Sequence, residues 1–442
     1  MATSAPSSRA ASSRGSAQPR RAAVIGGNRI PFARQNGAYA KASNQDMLTA
    51  AIEGLVARHG LAGEQVGEVA AGAVLKHARD FNLTRESVLG SSLSARTPAY
   101  DVQQACGTGL EAAILVGNKI ALGQIESGIA GGTDTASDAP IAVNEGLRET
   151  LLTLNRAKTP GQRAKALTGL RPSQLVPEIP RNVEPRTGLS MGEHMAQTAK
   201  QWGIGREAQD EIAASSHQHL AAAYDRGFFD DLMTPFLGQT RDQNLRADST
   251  VEKLATLKPV FGKGADATMT AGNSTPLTDG ASAVLLGSDE WAKERGLPVL
   301  AHLVDAQTAA VDYVTGNEGL LMAPAYALPH LLARQGMRLQ DFDLVEIHEA
   351  FAATVLTTLA AWESEQFCRD RLGLDAPIGA LDRDRLNVNG SSLAAGHPFA
   401  ATGGRIVASL AKMLHEKGSG ARGLISICAA GGQGVMAILE AA

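Results

Sequence analysis

Two stretches near opposite ends of the chain follow one design, and few folds can hold such a pair. The first runs from Cys106 through a helical segment carrying Leu110, Ile114 and Gly117 to the short strand Ser127 to Ala130 and the pair Gly131-Gly132. The second runs from His397 through a helix begun by Pro398, with Ile406, Leu410 and Met413 on one face. It ends in the strand Leu424 to Cys428 and a glycine turn, Gly431 to Gly434. Apolar residues three and four apart give each helix one buried stripe. Each reactive side chain stands just before a helix start, where unpaired N–H groups and the positive end of the helix dipole favour negative charge.

The remaining segments extend the pattern. The apolar run Ala22 to Gly26 reads as a buried strand with a turn through Pro31. Helical spacing of Met47, Leu48, Ala51, Leu55 and Val56 over Gln45 to Arg58 precedes a second apolar run, Val69 to Val74. Strand, helix, strand predicts an α/β chain with a mainly parallel sheet and helices on its faces. In the second copy the chain passes straight from the glycine turn into the strand Val435 to Leu439, whereas in the first the matching strand, Ala281 to Leu286, arrives only after a long insertion. The domains expected are a tail over residues 1–21, a first half over 22–140 and 271–292, an inserted loop domain over 141–270, and a second half over 293–442. The insertion reads as a proline-dotted stretch to Gly188 followed by a helix from Arg206 to Tyr224. Between positions 141 and 190 it holds eight Lys or Arg against four Asp or Glu, which suits a phosphate-bearing ligand, although a solvated loop face explains any single charge equally well.

Composition narrows the function. The 442 residues exceed the roughly 250 to 300 at which one core stops growing. No apolar run approaches the ~18 residues of a membrane span, so none is expected. A net charge of −4 gives no pull toward nucleic acid. Cys106, Cys368 and Cys428 are too scattered for a zinc motif and odd in number for a disulfide set, which fits a reducing compartment. Residues 1–21 hold four Arg and no acid in a Ser/Ala background. A disordered tail is the simpler reading, with a mitochondrial presequence as the alternative to a cytoplasmic location.

Four short motifs carry chemistry. In Gln103-Gln104-Ala105-Cys106-Gly107-Thr108-Gly109, small residues permit a tight strand-to-helix turn, and a helix N-terminus can lower a thiol pKa into the physiological range. A lone cysteine is nonetheless more often a small core residue. In Gly396-His397-Pro398 a histidine is held among small residues, placed to serve as a base for Cys106. In Cys428-Ala429-Ala430-Gly431-Gly432 a cysteine is delivered into a loop whose N–H groups can line an oxyanion hole. His348-Glu349-Ala350-Phe351 offers a further donor to a developing negative oxygen.

Together, in this order, these motifs resemble the thiolase family from about residue 22 to 442. Ser190-Met191-Gly192 before a helix, the Gln209-Asp210-Glu211 helix, and Thr270-Ala271-Gly272-Asn273-Ser274-Thr275 leading to Asp279-Gly280-Ala281 add to the match. The resemblance implies the thiolase fold, two duplicated halves in an αβαβα layering with an inserted loop domain. It also implies thiolytic cleavage of 3-ketoacyl-CoA, or the reverse condensation of acetyl-CoA. Cys106 would carry the acyl group, His397 would activate it, and Cys428 would move the proton at the α-carbon. One oxyanion hole would comprise His397 and a water held by His348; the backbone N–H groups of Cys106 and Ala430 would form the other. Arg246, Ala271, Thr275, Phe351 and Met191 match contacts to coenzyme A, which enters as substrate; no permanent cofactor or metal is implied.

Two departures stand out. Histidine occupies position 348 where most of the family has asparagine, as in the thiolase subunits of trifunctional fatty-acid oxidation complexes, which points to β-oxidation. Alanine occupies position 430 where many members have glycine. A homodimer or homotetramer, or a complex with a hydratase/dehydrogenase subunit, is expected on the same grounds. The rival readings are a ketoacyl-synthase-like condensing enzyme, against which Cys428 argues, and a non-catalytic CoA-binding scaffold, against which the intact catalytic set argues.

Overall fold

A computed structural model of the chain describes residues 20–264 and 266–442. The tail expected over 1–21 lies outside these residues, except that Arg20 and Arg21 are already tied down by ion pairs to Glu126 and Asp289. The first half supplies β1 (Ala22–Arg29), β2 (Ala33–Arg34), β3 (Glu68–Ala71), β4 (Ala99–Asp101) and β5 (Ser127–Asp134). The insertion supplies β6 (Pro259–Phe261) and β7 (Met269–Thr270), and β8 (Thr278–Ser288) follows. The second half supplies β9 (Ala301–Ala310), β10 (Leu344–Ile347), β11 (Arg422–Ala429) and β12 (Gln433–Ala441).

Among the described residues, β6 and β7 form a hairpin of their own, and the others make one 10-stranded sheet in the order β10-β11-β12-β9-β1-β8-β5-β3-β4, with β2 on β8. The two half-sheets meet where Ala22, Ala23 and Val24 of β1 pair with Leu303, His302 and Ala301 of β9. The sheet is mixed rather than mainly parallel. β4, β3 and β5 run parallel, as do β10 and β11. The middle strands β12, β9, β1 and β8 pair antiparallel. The short turn at Ala430 to Gly432 forces β12 back along β11, since only antiparallel neighbours can be joined so tightly.

Helices and half-sheets alternate. Helix Asn44–His59 covers one face of the first half-sheet through Met47, Leu48, Ile52 and Leu55. Helices Ala323–Gln335 and Ala352–Glu363 cover the outer face of the second through Leu328, Leu331, Val355 and Leu359. Between the two half-sheets lie helices Thr108–Ala121 and Ala401–Lys417, in a core shared by Leu110, Val116, Ile406, Leu410, Val284, Ile427 and Val435. This is the αβαβα layering.

Glycines set the spacing of the central layer. A Cβ on Gly403 would stand 2.1 Å from the Leu110 nitrogen, and one on Gly109 would stand 2.6 Å from the Ala400 carbonyl. The two helices therefore cross at backbone contact. Gly131 and Gly132 are strand residues of β5, and a Cβ there would meet Ser282 O at 2.3 Å and Ala400 O at 2.1 Å. Pro398 does not begin a helix: its carbonyl accepts the Ala401 N–H in a turn, and the helix starts at Ala401. Cys428 sits within β11 opposite Gly434, not in a loop.

The insertion holds more helix than its prolines suggest. Glu145–Arg156 and Pro160–Thr168 precede Met191–Gln201, whose cap is Ser190 with Glu193 reaching back, and Arg206–Asp225. The first two bury none of their residues. Inside the fold, Arg29 of β1 grips Asp242 through both carboxylate oxygens at 2.6 and 2.7 Å, and Asp242 also accepts the Phe32 N–H and the Tyr224 hydroxyl. That buried pair anchors the insertion to the first strand. No helix among the described residues is long and apolar enough to cross a membrane.

Overpacking a tight contact typically costs about 1–3 kcal/mol. Gly403→Ala is therefore expected to destabilise the protein by that amount in denaturant unfolding, and to depress activity further by parting Cys106 from His397.

Candidate active site

The turn that carries Cys106 is strained. Ala105 holds φ at +46°, a left-handed conformation costly for a residue with a Cβ. The strain is held by Thr108, whose hydroxyl donates to the Ala105 carbonyl at 2.7 Å and accepts the Gln104 N–H at 2.9 Å. The turn swings Cys106 toward the second half, where the backbone N–H groups of Ala430 and of Cys106 itself point at its sulfur. Gly431 and Gly432 take the positive φ values of +80° and +71° in that loop, so Ala430 needs no unusual backbone and keeps its N–H free.

His397 comes from the other copy. Gly396 at φ +97° aims it, and its N–H donates to Thr278 Oγ1 at 2.8 Å. Its Nε2 lies 3.0 Å from Cys106 Sγ, and its Nδ1 lies 2.5 Å from Thr402 Oγ1. The sulfur already accepts two N–H groups, so the thiol proton goes to Nε2, and Nδ1–H then donates to Thr402. His348 is wholly buried beside it, with ring centroids 4.1 Å apart. Its Nδ1 is 2.8 Å from Ser392 Oγ, and its Nε2 has no partner among the described residues. One donor-type atom each from Cys106, His348 and His397 lies within 4.8 Å of the other two.

Burial sets the charge state. It pushes the Cys106 thiol up to about 12, outweighing the Ala430 N–H that favours the thiolate. It also pushes His397 down to about 3, with the Arg405 charge adding to the effect. His348 is held well below the ordinary imidazole value by burial, then by His397 and Arg405. The expectation that the helix start lowers the thiol pKa is not met: the first free helical N–H groups begin past Gly107, while burial, joined by the Asp134 charge, disfavours the thiolate. At rest the pair is a thiol and a neutral imidazole. Cys428 is buried nearby, its thiol raised by burial and by the proximity of Cys106.

A cavity of about 600 Å³ opens onto the sulfur, lined in part by Ile179, Met191, Leu277, Phe399 and Ala430. A second cavity of about 660 Å³ lies between helix Met191–Gln201 and the β6–β7 hairpin without reaching Cys106. Its lining holds no cysteine and no histidine, whereas the first cavity exposes Cys106. Of the residues matched to coenzyme A contacts, Met191 lines the reactive cavity. Phe351 packs in one cluster with Met191 and Cys428, edge-on to Phe261. The Thr275 N–H donates to the Ala350 carbonyl at 3.1 Å, which fixes that loop against Phe351. Arg246 and Ala271 are exposed and lie outside the cavity.

Arg34 was not singled out by the sequence. It lies close enough to Arg246 for that charge, after burial, to lower its pKa, and both arginines help hold His217 down at about 4, burial being the larger cause. Among the described residues neither arginine has a carboxylate within ion-pair distance. Arg34 pairs with Thr278, and the next residue, Gln35, lines the cavity. The link depends on β2 joining β8, which no local motif announces. Thr402, five residues after His397 on the first helical turn, was legible by spacing and was missed.

The pattern of the thiolase N-terminal domain matches residues 22–290, and that of the thiolase C-terminal domain matches 297–441. A 3-ketoacyl-CoA thiolase of Pectobacterium carotovorum is 42% identical over 426 residues, 95% of this chain and 96% of the relative. One from Yersinia enterocolitica is 40% identical over 95% of this chain and 97% of its own length. Human mitochondrial 3-ketoacyl-CoA thiolase in complex with CoA superposes with a TM-score of 0.78 at 28% identity, covering 96% of this chain and 98% of that one. Bacillus anthracis acetyl-CoA acetyltransferase superposes at 0.79 and 30% identity, covering 96% of this chain and all of its own.

A neutral thiol–imidazole pair makes a pH prediction. Alkylation of Cys106 by iodoacetamide should accelerate with pH between 6 and 9, by up to about tenfold per unit, as the thiolate fraction rises. A resting thiolate–imidazolium pair would instead give a rate nearly flat through neutrality.

Proposed function

The chain belongs to the thiolase family, and from that premise we propose that it cleaves 3-ketoacyl-CoA with coenzyme A, giving acetyl-CoA and a shortened acyl-CoA, in fatty-acid β-oxidation. It is an acyltransferase. The observation that carries the assignment of roles is the 3.0 Å contact between Cys106 Sγ and His397 Nε2, two residues from different halves of the fold.

Cys106 attacks the keto carbon as its proton passes to His397 Nε2. The alkoxide formed on that carbon is met by the N–H groups of Cys106 and Ala430. Collapse breaks the bond to the α-carbon, leaving an acyl thioester on Cys106 and the enolate of acetyl-CoA. The enolate oxygen is stabilised by His397, now protonated, and by His348 or a water it holds. Cys428 gives its proton to the enolate carbon. Coenzyme A then gives its thiol proton to the Cys428 thiolate as its sulfur attacks the thioester, and Cys106, as it leaves, takes back its proton from His397. Splitting one difficult step into two through a covalent intermediate is the gain.

Arg34 and Arg246, two neighbouring cations without an ion-pair partner among the described residues, the first next to the cavity-lining Gln35, support a site for the phosphates of coenzyme A, with Met191, Thr275, Ala271 and Phe351 along the pantetheine. The enzyme works as a homodimer or homotetramer, supplied by a hydratase/dehydrogenase subunit. Supporting a docked partner, the insertion exposes the apolar side chains of Ile141, Leu151, Leu167, Leu175 and Val176.

Two measurements test this. Purified protein should consume acetoacetyl-CoA only when coenzyme A is added, and Cys428→Ala should abolish that while still exchanging labelled coenzyme A with acetyl-CoA; full turnover in the variant contradicts the role of Cys428. The double variant Arg34→Gln/Arg246→Gln should raise KM for coenzyme A by roughly tenfold, the worth of one charge-assisted phosphate contact, and leave KM for a pantetheine-truncated thiol unchanged.

A further inference from the structure

His348 is held from behind by a small buried polar network. Arg405, itself buried, directs one guanidinium nitrogen at 3.1 Å to both Ser391 Oγ and Ser392 Oγ. Ser392 Oγ is in turn 2.8 Å from His348 Nδ1. An arginine only donates, and a serine hydroxyl has one proton to give. With Arg405 occupying a lone pair of Ser392, and no other acceptor within reach, the hydroxyl proton goes to His348 Nδ1. That nitrogen must then be the bare one. The ring proton is placed on Nε2, the atom that lacks a partner although the residue is fully buried.

We infer that Ser392 and Arg405 are positioning residues that lock His348 in the Nε2–H tautomer, making it a fixed hydrogen-bond donor to the oxygen of the departing enolate. The inference rests on the thiolysis proposed above. His397 needs the opposite tautomer, with Nδ1–H donating to Thr402 and Nε2 bare for the thiol proton. Two histidines whose rings lie 4.1 Å apart thus hold complementary roles, one accepting and one donating, set by a threonine behind the first and a serine behind the second. Arg405 acts in a second way, since its charge disfavours protonation of both rings. Its own charge faces Glu346 and Glu349, the latter satisfied by Ser216, Asn387 and the Leu393 N–H. The consequence is a donor that needs no reorganisation when charge develops, the condition under which such donors are worth most.

The test compares wild type, Ser392→Ala and Ser392→Thr in the CoA-dependent cleavage of acetoacetyl-CoA, alongside iodoacetamide alkylation of Cys106. Losing the hydroxyl should lower kcat by roughly 10- to 100-fold, the usual range for removing a group that orients a catalytic histidine or an oxyanion donor. KM should stay within about twofold and alkylation at the wild-type rate, since the Cys106–His397 pair is untouched. Ser392→Thr, which keeps the hydroxyl, should recover most of the lost turnover, and Arg405→Gln should lower kcat as Ser392→Ala does while also shifting the pH dependence of Cys106 alkylation, since its charge reaches His397. An unchanged kcat in Ser392→Ala overturns the assignment, as does alkylation that falls in step with turnover, which marks general damage. A wild type without turnover overturns the thiolase reading instead, so the two failures are separable.

Discussion

Where the helix after Cys106 crosses the helix before β11, Gly109 faces Gly403 and Gly404 with no side chain between them. That contact brings the two halves of a duplicated fold to backbone distance, and the active site is built across it. A Cβ on Gly109 or Gly403 would meet main-chain atoms rather than a flexible side chain. The helices would have to separate, and a 3.0 Å contact between sulfur and imidazole does not survive a shift of that kind. The same logic explains Gly132 under Ala400: the strand that ends the first copy lies directly against the turn that carries His397.

Packing this close has an electrostatic consequence. The thiol–imidazole pair carries little net charge at rest, because the environment that disfavours the thiolate also disfavours imidazolium. In the proposed mechanism activation therefore couples bond formation to proton transfer, with Ala430 and Cys106 presenting N–H groups to the developing negative charge. Preorganised donors in such surroundings stabilise developing charge far more than they would in water. The polar groups behind the site, Arg405, Ser392 and Thr402, matter for the same reason: in a buried site each proton must have an assigned place.

Much of this was legible in the sequence. The repeated order of reactive residue, helix and strand located Cys106, His397 and Cys428, since each element is local and its periodicity is strong. The resemblance to thiolases followed from four short motifs, and the αβαβα layering emerged with it. What escaped depended on partners far along the chain. Strand direction was misjudged because alternation of strands and helices does not reveal that β8 and β12 return antiparallel. The strand read as ending at Ala130 runs on through Gly131 and Gly132 to Asp134, where Ser282 and Ala400 lie against it. The thiol pKa was read from a local helix start, whereas enclosure by residues from the other half decides it. Arg34 became relevant only through β2 pairing with β8.

The central claim is that the acyl group resides on Cys106, presented to His397 across the helix crossing. Peptide mass spectrometry after brief incubation with a 3-ketoacyl-CoA and acid quench reads this directly. The account predicts one acyl adduct, confined to the peptide containing Cys106 and removed when coenzyme A is added. An adduct on Cys428 or Cys368, or none in a preparation that turns over, would contradict it.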